Sequence, residues 1–343
     1  MVSKLECRRL PKIELHAHLN GSISLRTIEK LYGLHRHKGN SLEPASEENL
    51  KESLTLSQPT TMEEVFKIFP LIQSLTTTRE ALTMAAADVV REFSDDGVVY
   101  LELRSTPKVT AEMSKEEYVE ALIDGIRQGS KECGIIVRLL LSIDRRQTVA
   151  DAMRTVEIAM ADGSGLIVGV ELSGNPSIDG QMFIPVLQRA RDSGLKVSIH
   201  LAEVDDQLDE VEEFLAFLPD RIGHGTYLHT VNDFVEQVAK HRIPLEICLT
   251  SNVMSRTTAT IKDSHLKFWR EKGVPICICT DDKGLMDCDL SGEFHKASVA
   301  FCFELNELWQ ISTDALEMSF LKKSSDDYKK LAELLERRQL LDL

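Results

Sequence analysis

Apolar residues along this chain recur in short runs rich in β-branched side chains. Each run is followed by a longer stretch whose apolar positions repeat at helical spacing. The runs cover residues 13–19, 98–103, 135–143, 166–172, 197–201, 221–223, 245–249 and 276–280. Between them, amphipathic patterns predict helices over 79–93, 115–131, 148–160, 182–193, 207–217, 231–241 and 265–271. Gly97, Gly134, Gly165, Gly194 and Gly273 stand between a helical stretch and the next apolar run, where a helix-ending glycine is expected. About eight strand–helix units predict an α/β fold with a parallel sheet, and eight such units close into a (β/α)8 barrel of the TIM type. A doubly wound open sheet, the competing topology, needs a phosphate-binding Gly-rich turn after its first strand. The first run here ends instead in His-Ala-His-Leu-Asn-Gly, residues 16–21.

Two stretches exceed one strand–helix unit. Residues 24–78 are too long for a single crossover and predict a helical insertion after the first strand, covering the C-terminal mouth of the barrel. Residues 291–343 supply the last barrel helix and further C-terminal helices, of which the charged stretch 326–338 reads as a solvated face. No repeat, low-complexity tract or Pro/Gly/Ser linker divides the chain, so residues 1–343 are expected to form one barrel domain.

Composition narrows the function classes. The 343 residues are 43% hydrophobic and 28% charged, which provides for a sizeable core and leaves no room for a mainly disordered chain. A formal net charge of -15 repels polyanions, so neither nucleic acid nor an anionic membrane is an expected partner. A local pocket for one small phosphorylated ligand remains compatible with that field. No apolar stretch reaches the roughly 18 residues a membrane span needs. The first residues, MVSKLECRRLPK, lack the apolar core of a secretory signal. The 7 cysteines are scattered, odd in number and mostly embedded in apolar runs, as expected of reduced thiols in a cytoplasmic protein. Cys277 and Cys279 alternate within a predicted strand and read as core residues, not as metal ligands.

Histidines and carboxylates gather at the ends of the predicted strands. His16 and His18, two apart at the end of the first run, share a face and can converge on one metal ion. His35-Arg36-His37 repeats that spacing in a polar, basic, non-strand segment, a control showing that the spacing alone is weak evidence. His200 ends the fifth run with Glu203 three residues beyond; His224 stands between Gly223 and Gly225 after the sixth; Asp281 and Asp282 follow the eighth. Singly, each has a bland reading as a core histidine or a helix-capping aspartate. Together they fall on the C-terminal face of the strands, where barrel enzymes build their active sites. Three imidazoles and one carboxylate suit Zn2+, and a catalytic zinc lowers the pKa of a bound water towards ~7. The remaining histidine and carboxylates then suit proton transfer and substrate orientation.

Residues 11–22 (PKIELHAHLNGS), His200-Leu201-Ala202-Glu203, Gly223-His224-Gly225 and Thr280-Asp281-Asp282 resemble, in order and over most of the chain, the motif series of the adenosine deaminase family. Residues 100–107 (YLELRSTP), 143–146 (IDRR) and 245–252 (LEICLTSN) are similar to its adenosine deaminase-like branch. The resemblance implies a metallohydrolase holding one Zn2+ through His16, His18, His200 and Asp281. It implies Glu203 as the general acid at purine N1, with His224 and Asp281 orienting the attacking hydroxide and taking its proton. Asp282 would hydrogen-bond N7, the Gly174 backbone N–H would meet N3, and His18 would also border the substrate. To act as an acid near neutral pH, Glu203 needs a raised pKa, which burial beside a dry purine pocket supplies. The implied substrate is an N6-substituted purine nucleoside monophosphate, N6-methyl-AMP, converted with water to IMP and methylamine by a monomer. The sequence lacks the CxxC of the zinc deaminases that edit nucleic acids.

Asn20 stands where other members of the family carry an aspartate against the ribose 5′-hydroxyl. A carboxylate there would repel a 5′-phosphate, whereas a neutral amide can donate to it. Ser105, Thr106, Pro107 and Lys108 past the second strand, and Asp144 past the third, complete the nucleotide site that the branch implies. Their bland reading is an ordinary turn, with Asp144 paired to Arg145. Three positions depart from the branch. Gln73 replaces an expected nucleotide-contacting histidine, Asn175 an aspartate, and Lys108 an arginine. An adenosine deaminase acting on the nucleoside is the alternative, distinguished by Asn20 and residues 105–108. A two-metal amidohydrolase would use Glu171 near the end of the fourth strand. A non-catalytic nucleotide binder would have lost a ligand or the acid, and this chain retains both.

Overall fold

A computed structural model of the chain describes residues 2–37, 54, 56 and 58–339. The apolar runs form β1 (Lys12–His18), β2 (Val98–Ser105), β3 (Ile136–Asp144), β4 (Ile167–Ser173), β5 (Lys196–Leu201), β6 (Arg221–His224), β7 (Leu245–Ile247) and β8 (Ile276–Ile278). These strands pair in parallel and in chain order. A parallel bridge between Ala17 and Asp281 returns the sheet to β1: His18 N donates to Asp281 O at 3.0 Å, and Asp281 N donates to His16 O at 2.8 Å. The result is the (β/α)8 barrel, and the hydrogen bonds that close it belong to residues of the candidate metal set.

The helices pack outside through the predicted faces. In Arg79–Asp95, Leu82, Ala85, Ala86, Val89, Val90 and Phe93 are buried at spacings of three and four, and the Thr78 hydroxyl caps the start by accepting from Ala81 N. Gly97, Gly134, Gly194 and Gly273 take left-handed φ values, from 70 to 92°, at helix ends, whereas Gly165 (φ 74°) stands in the loop before β4, four residues past the helix cap Ala161.

Boundaries shift where polar contacts intervene. The helix expected over 207–217 begins only at Val211, because the buried Glu210 carboxylate is held by Arg145 and by the Gly180 N–H. The run 245–249 divides: β7 ends at Ile247 and Leu249–Met254 is helical. Its apolar residues are buried in either form, so their pattern does not separate strand from helix. The charged segment 326–338 is not merely a solvated face. Helix Asp326–Gln339 buries Tyr328, Leu331 and Leu335 in a cluster with Ile13, Tyr100, Leu316 and Met318, at the N-terminal end of the barrel.

Of the expected insertion, helices Leu25–His37 and Met62–Ser74 are seen, and residues 38–53, 55 and 57 lie outside the described residues. Helix Met62–Ser74 turns Met62, Val65, Phe66, Phe69 and Gln73 onto the cavity at the strand C-termini. His35 of the control motif is buried, with Nε2 3.0 Å from the Leu75 carbonyl, a packing role. Cys277 and Cys279 are buried free thiols, their sulfurs 3.4 Å apart. Among the described residues no helix is long and apolar enough to cross a membrane.

Candidate active site

Backbone geometry at the strand ends is specialised. Past β5, at the end of β6 and past β8, Ala202, His224 and Asp281 take φ values of 53, 58 and 62°, a left-handed conformation that side-chain-bearing residues adopt at a cost. Gly223 leaves room for a ligand ring, since a Cβ there would lie 2.8 Å from His16 Cε1. Gly21 does the same for Asp282, whose Oδ1 would be 1.6 Å from an added Cβ. These contacts explain why glycine stands at both positions.

Four side chains converge at the centre of this face. His18 Nε2 lies 3.1 Å from His200 Nε2 and 3.4 Å from Asp281 Oδ1, while His16 Nε2 lies 3.3 Å from Asp281 Oδ1. Donors about 2.0–2.1 Å from one tetrahedral ion stand about 3.3–3.4 Å apart, so these separations fit a metal ion. His16 Nε2 is buried and has no hydrogen-bond partner, which also fits. His224 clusters with His16, His200 and Asp281 too, but its Nε2 is 3.8 Å from Asp281 Oδ2 and 3.7 Å from Glu203 Oε2, beside the set. Burial drives the His18 pKa down to about 4 and that of His200 well below its ordinary value, keeping both rings neutral, as a ligand must be. For His16, burial and Arg104 act downward, but the Asp281 and Glu246 carboxylates outweigh them and raise it to about 10.

A second grouping, His18, Glu171 and His200, shares His200 with the grouping of His16, His200, His224 and Asp281. Glu171 lies inside the barrel, where Arg104 and Ser142 both donate to it. Among the described residues, therefore, no independent ligand set for a second metal appears.

Beneath the ligands lies a buried ionic layer that the strand pattern does not reveal. Arg104 joins Glu171 (2.5 Å) to Glu246 (3.0 Å), and Arg221 joins Glu246 (2.5 Å) to Glu102 (2.5 Å); all of these side chains are fully buried. Glu246 Oε2 in turn accepts from His16 Nδ1 at 2.6 Å, which fixes the ring with Nε2 towards the metal position. Burial alone would raise the Glu246 pKa; Arg104 and Arg221 hold it well below the carboxylate range. The sequence signal is a charged residue alternating with apolar ones, as in Leu101-Glu102-Leu103-Arg104 and Leu245-Glu246-Ile247.

Above the metal set opens a cavity of about 920 Å³, its mouth included, lined by His18, Asn20, Gln73, Ser105, Thr106, Asp144, Gly174, His200, Glu203, His224, Asp281 and Asp282, among others. Glu203 is 7% exposed, its Oε1 has no partner, and burial followed by the Asp281 charge pushes its pKa up against the pull of His224 and Arg145. Burial and the adjacent Asp281 raise Asp282 well above the aspartate range, and its Oδ1 is also unpaired. Asn20 Oδ1 is a third buried atom without a partner. Ser105 Oγ lies 3.0 Å from the Tyr118 hydroxyl. Pro107 and Lys108 are not among the lining residues: Lys108 Nζ donates to the Gln73 carbonyl at 3.3 Å, tying the β2 loop to the insertion helix. Asp144 pairs not with Arg145 but with Arg146, which donates from Nε (2.8 Å) and Nη2 (2.6 Å). Arg145 turns the other way, to Glu210 and the His200 carbonyl. Arg146, Thr226, Ser251, Asn252, Ser255 and Thr257 also line the cavity, and motif spacing does not single them out.

Comparison with known proteins follows the same lines. The adenosine deaminase family model matches residues 11–337. N6-methyl-AMP deaminase of Danio rerio is 41% identical over 327 residues, covering 91% of this chain and 91% of that protein. N6-methyl-AMP deaminase of Homo sapiens is 40% identical over 332 residues, covering 92% of this chain and 90% of that protein. Among solved structures, Arabidopsis ADAL complexed with IMP superposes with a TM-score of 0.89 at 34% identity, over 98% of this chain and 99% of that one.

Proposed function

We infer the activity from one premise: the chain belongs to the adenosine deaminase family. It is a hydrolase acting at C6 of a purine nucleotide, and its reaction is N6-methyl-AMP plus water to IMP plus methylamine. The observation that carries this reading is Glu203, a buried acid with a free oxygen on the cavity, beside three imidazoles and Asp281. The match over residues 11–337 supports a single catalytic domain.

We assign the metal position to zinc, held by His16, His18, His200 and Asp281; when bound it supplies the Lewis acidity that makes water nucleophilic near neutral pH. The chain's own groups do the rest. Glu203, whose pKa burial raises, delivers its proton to N1, so that C6 becomes electrophilic. His224 Nδ1 lies 3.0 Å from Asn252 Oδ1, and Asn252 Nδ2 donates to Thr226 Oγ1 at 3.2 Å. With the hydrogen on Nδ1, donated to Asn252 Oδ1, Nε2 keeps a lone pair to take a proton from the attacking water, together with Asp281. Returned to the N6 nitrogen, that proton lets methylamine leave.

Asp282, held protonated, donates to N7, and the Gly174 N–H meets N3. His18 borders the base as well as the metal. Asn20, Ser105, Thr106, Asp144 and Gln73 face the ribose and 5′-phosphate, with neutral Asn20 tolerating the phosphate charge. Lys108 serves this end of the site by holding the β2 loop, with Pro107 before it, against Gln73 through its bond to the Gln73 carbonyl.

Incubation of zinc-quantified protein with N6-methyl-AMP, AMP, N6-methyladenosine and adenosine, following IMP and inosine by chromatography, tests the reading. IMP from N6-methyl-AMP, little from AMP and no nucleoside turnover is expected. Turnover of adenosine alone would overturn the nucleotide reading.

A further inference from the structure

His224 and Asp281 are held by consecutive residues of one short helix, Leu249–Met254. Ser251 Oγ donates to Asp281 Oδ2 at 2.7 Å, and Asn252 Oδ1 lies 3.0 Å from His224 Nδ1. The serine thus takes the oxygen of Asp281 that does not face the His16 and His18 ring nitrogens, and the asparagine engages Nδ1 of His224 and not Nε2. A shift of this helix would move both contacts at once.

The helix has little of its own to fix it. Six residues make under two turns, too few to be stable without packing. Its N-cap, Cys248, offers no side-chain acceptor to the first-turn N–H groups. The acceptor comes from another helix, Leu290–Phe301, 43 residues along the chain. There the Glu293 carboxylate accepts from Thr250 N through Oε2 at 2.8 Å and from the Thr250 hydroxyl through Oε1. Lys296 Nζ donates to Glu293 Oε1 at 2.9 Å and also to the Thr250 hydroxyl.

Glu293 is fully buried, on a helix that otherwise packs through Leu290, Phe294 and Ala297. Burying a carboxylate costs stability unless its bonds repay it, and an apolar residue would fill the same space without that cost. What the acid adds is a fixed place for the first turn of helix Leu249–Met254, at the end where the helix dipole favours negative charge.

We propose that Glu293 is a positioning residue for proton transfer: by anchoring Thr250 it sets helix Leu249–Met254, and through Ser251 and Asn252 the aim of Asp281 and His224. The inference rests on the roles proposed above for those two groups, and it adds a residue that lies outside the cavity lining.

The test measures kcat and KM for N6-methyl-AMP, inhibition by IMP, zinc content and melting temperature on the same preparations. Glu293→Met fills the site without an oxygen and is expected to lose about 10–100-fold in kcat, with zinc retained and with KM and IMP inhibition within about threefold of the wild type's. Glu293→Gln can still accept from Thr250 N and donate to the hydroxyl, so its kcat is expected within about threefold of the wild type's. Glu293→Asp keeps the charge but withdraws it by one methylene; it is expected to lose more than about threefold in kcat and carries the test if Glu293→Met does not fold. Ser298→Ala removes a buried bond of 2.8 Å to the Phe303 carbonyl in the same helix; as the control, it is expected to melt lower with kcat per zinc unchanged.

Wild-type kcat per zinc in Glu293→Met, or in Glu293→Asp where the first does not fold, would make Glu293 a structural acid and overturn the proposal. An equal loss of IMP affinity, a loss of zinc, or the same kcat loss in Ser298→Ala would also overturn it, because the effect would then belong to the whole face of the barrel. A Glu293→Gln as slow as Glu293→Met would show that the charge matters and the anchor does not. In each of these cases a wild type that turns over N6-methyl-AMP leaves the function standing, whereas an inert wild type removes the function and this inference with it.

Discussion

Replacing Glu246 with glutamine alters the support of the proposed metal site and leaves every proposed ligand in place. The Glu246 carboxylate is fully buried; Oε2 accepts from His16 Nδ1 (2.6 Å) and Arg104 (3.0 Å), and Oε1 from Arg221 (2.5 Å) and Ser198 (3.1 Å). An amide accepts on only one of its two ends. If its NH2 faces His16, the ring must accept at Nδ1 and place its hydrogen on Nε2, where the metal binds; if it faces Arg221, two donors meet. Loss of such an orienting partner costs about 10–100-fold in metal affinity, or ~1.4–2.8 kcal/mol. The effect on folding is bounded by charge counting. Arg104 and Arg221 face Glu102, Glu171 and Glu246, so the variant still has an acid for each base and leaves no buried cation unpaired. The folding loss is then that of hydrogen bonds to a charged group, ~1.5–3 kcal/mol, not the larger cost of orphaning an ion. Competition between the protein and a chromogenic chelator for Zn2+ reads the first quantity, and thermal unfolding of the metal-free protein reads the second. Glu102→Gln is the control: Glu102 meets Arg221, Tyr100 and the Phe320 N–H, so its variant loses stability without loss of Zn2+ affinity. A Glu246→Gln Kd for Zn2+ within about threefold of the wild type's would make Glu246 a structural acid only and refute the reasoning.

The remaining predictions concern the cavity itself. Glu203→Gln is expected to keep its zinc, since Glu203 is outside the proposed ligand set, and to lose about 10²–10⁴-fold in kcat; metal content and IMP formation on one preparation check both halves. Because Glu203 must be protonated to act and burial raises its pKa, kcat/KM persists below that raised pKa and falls as pH climbs through it, and a profile flat from neutral to alkaline pH would argue against the acid role. Asn20→Asp weakens inhibition by IMP more than by inosine, by ~1–4 kcal/mol for each unit of opposing charge at about 4 Å; equal effects on the two would detach Asn20 from the phosphate. Gly223→Ala sets a Cβ 2.8 Å from His16 Cε1, so zinc retention and melting temperature both fall, and a variant that keeps its zinc through dialysis would show that the ring has room to give.

The sequence speaks plainly about the residues that stand at strand ends and hardly at all about those that hold them. His16 and His18 are legible because period two puts both on one face, and the barrel places that face at the C-terminal mouth. His200, His224 and Asp281 are legible for the same positional reason. Glu102, Arg104, Arg221 and Glu246 sit within the strands, where a charge amid apolar neighbours says only that it points into the barrel and needs a partner. Which partner depends on register between strands distant in the chain: Arg221 and Glu102 are 119 residues apart, and Arg104 and Glu246 are 142. Register is a property of the closed sheet, set by how all the strands pack, and no window of sequence contains it. Asp144 is a local case. β3 ends there, and residues 145 and 146 form a turn in which Arg146 N donates to Asp144 Oδ1 (2.8 Å), which brings Arg146 onto the carboxylate while Arg145 goes to Glu210. The alternation rule ends with the strand and does not separate the two arginines. In the barrel interior it stops at the face, because the face names a direction and the ion pair needs a distance.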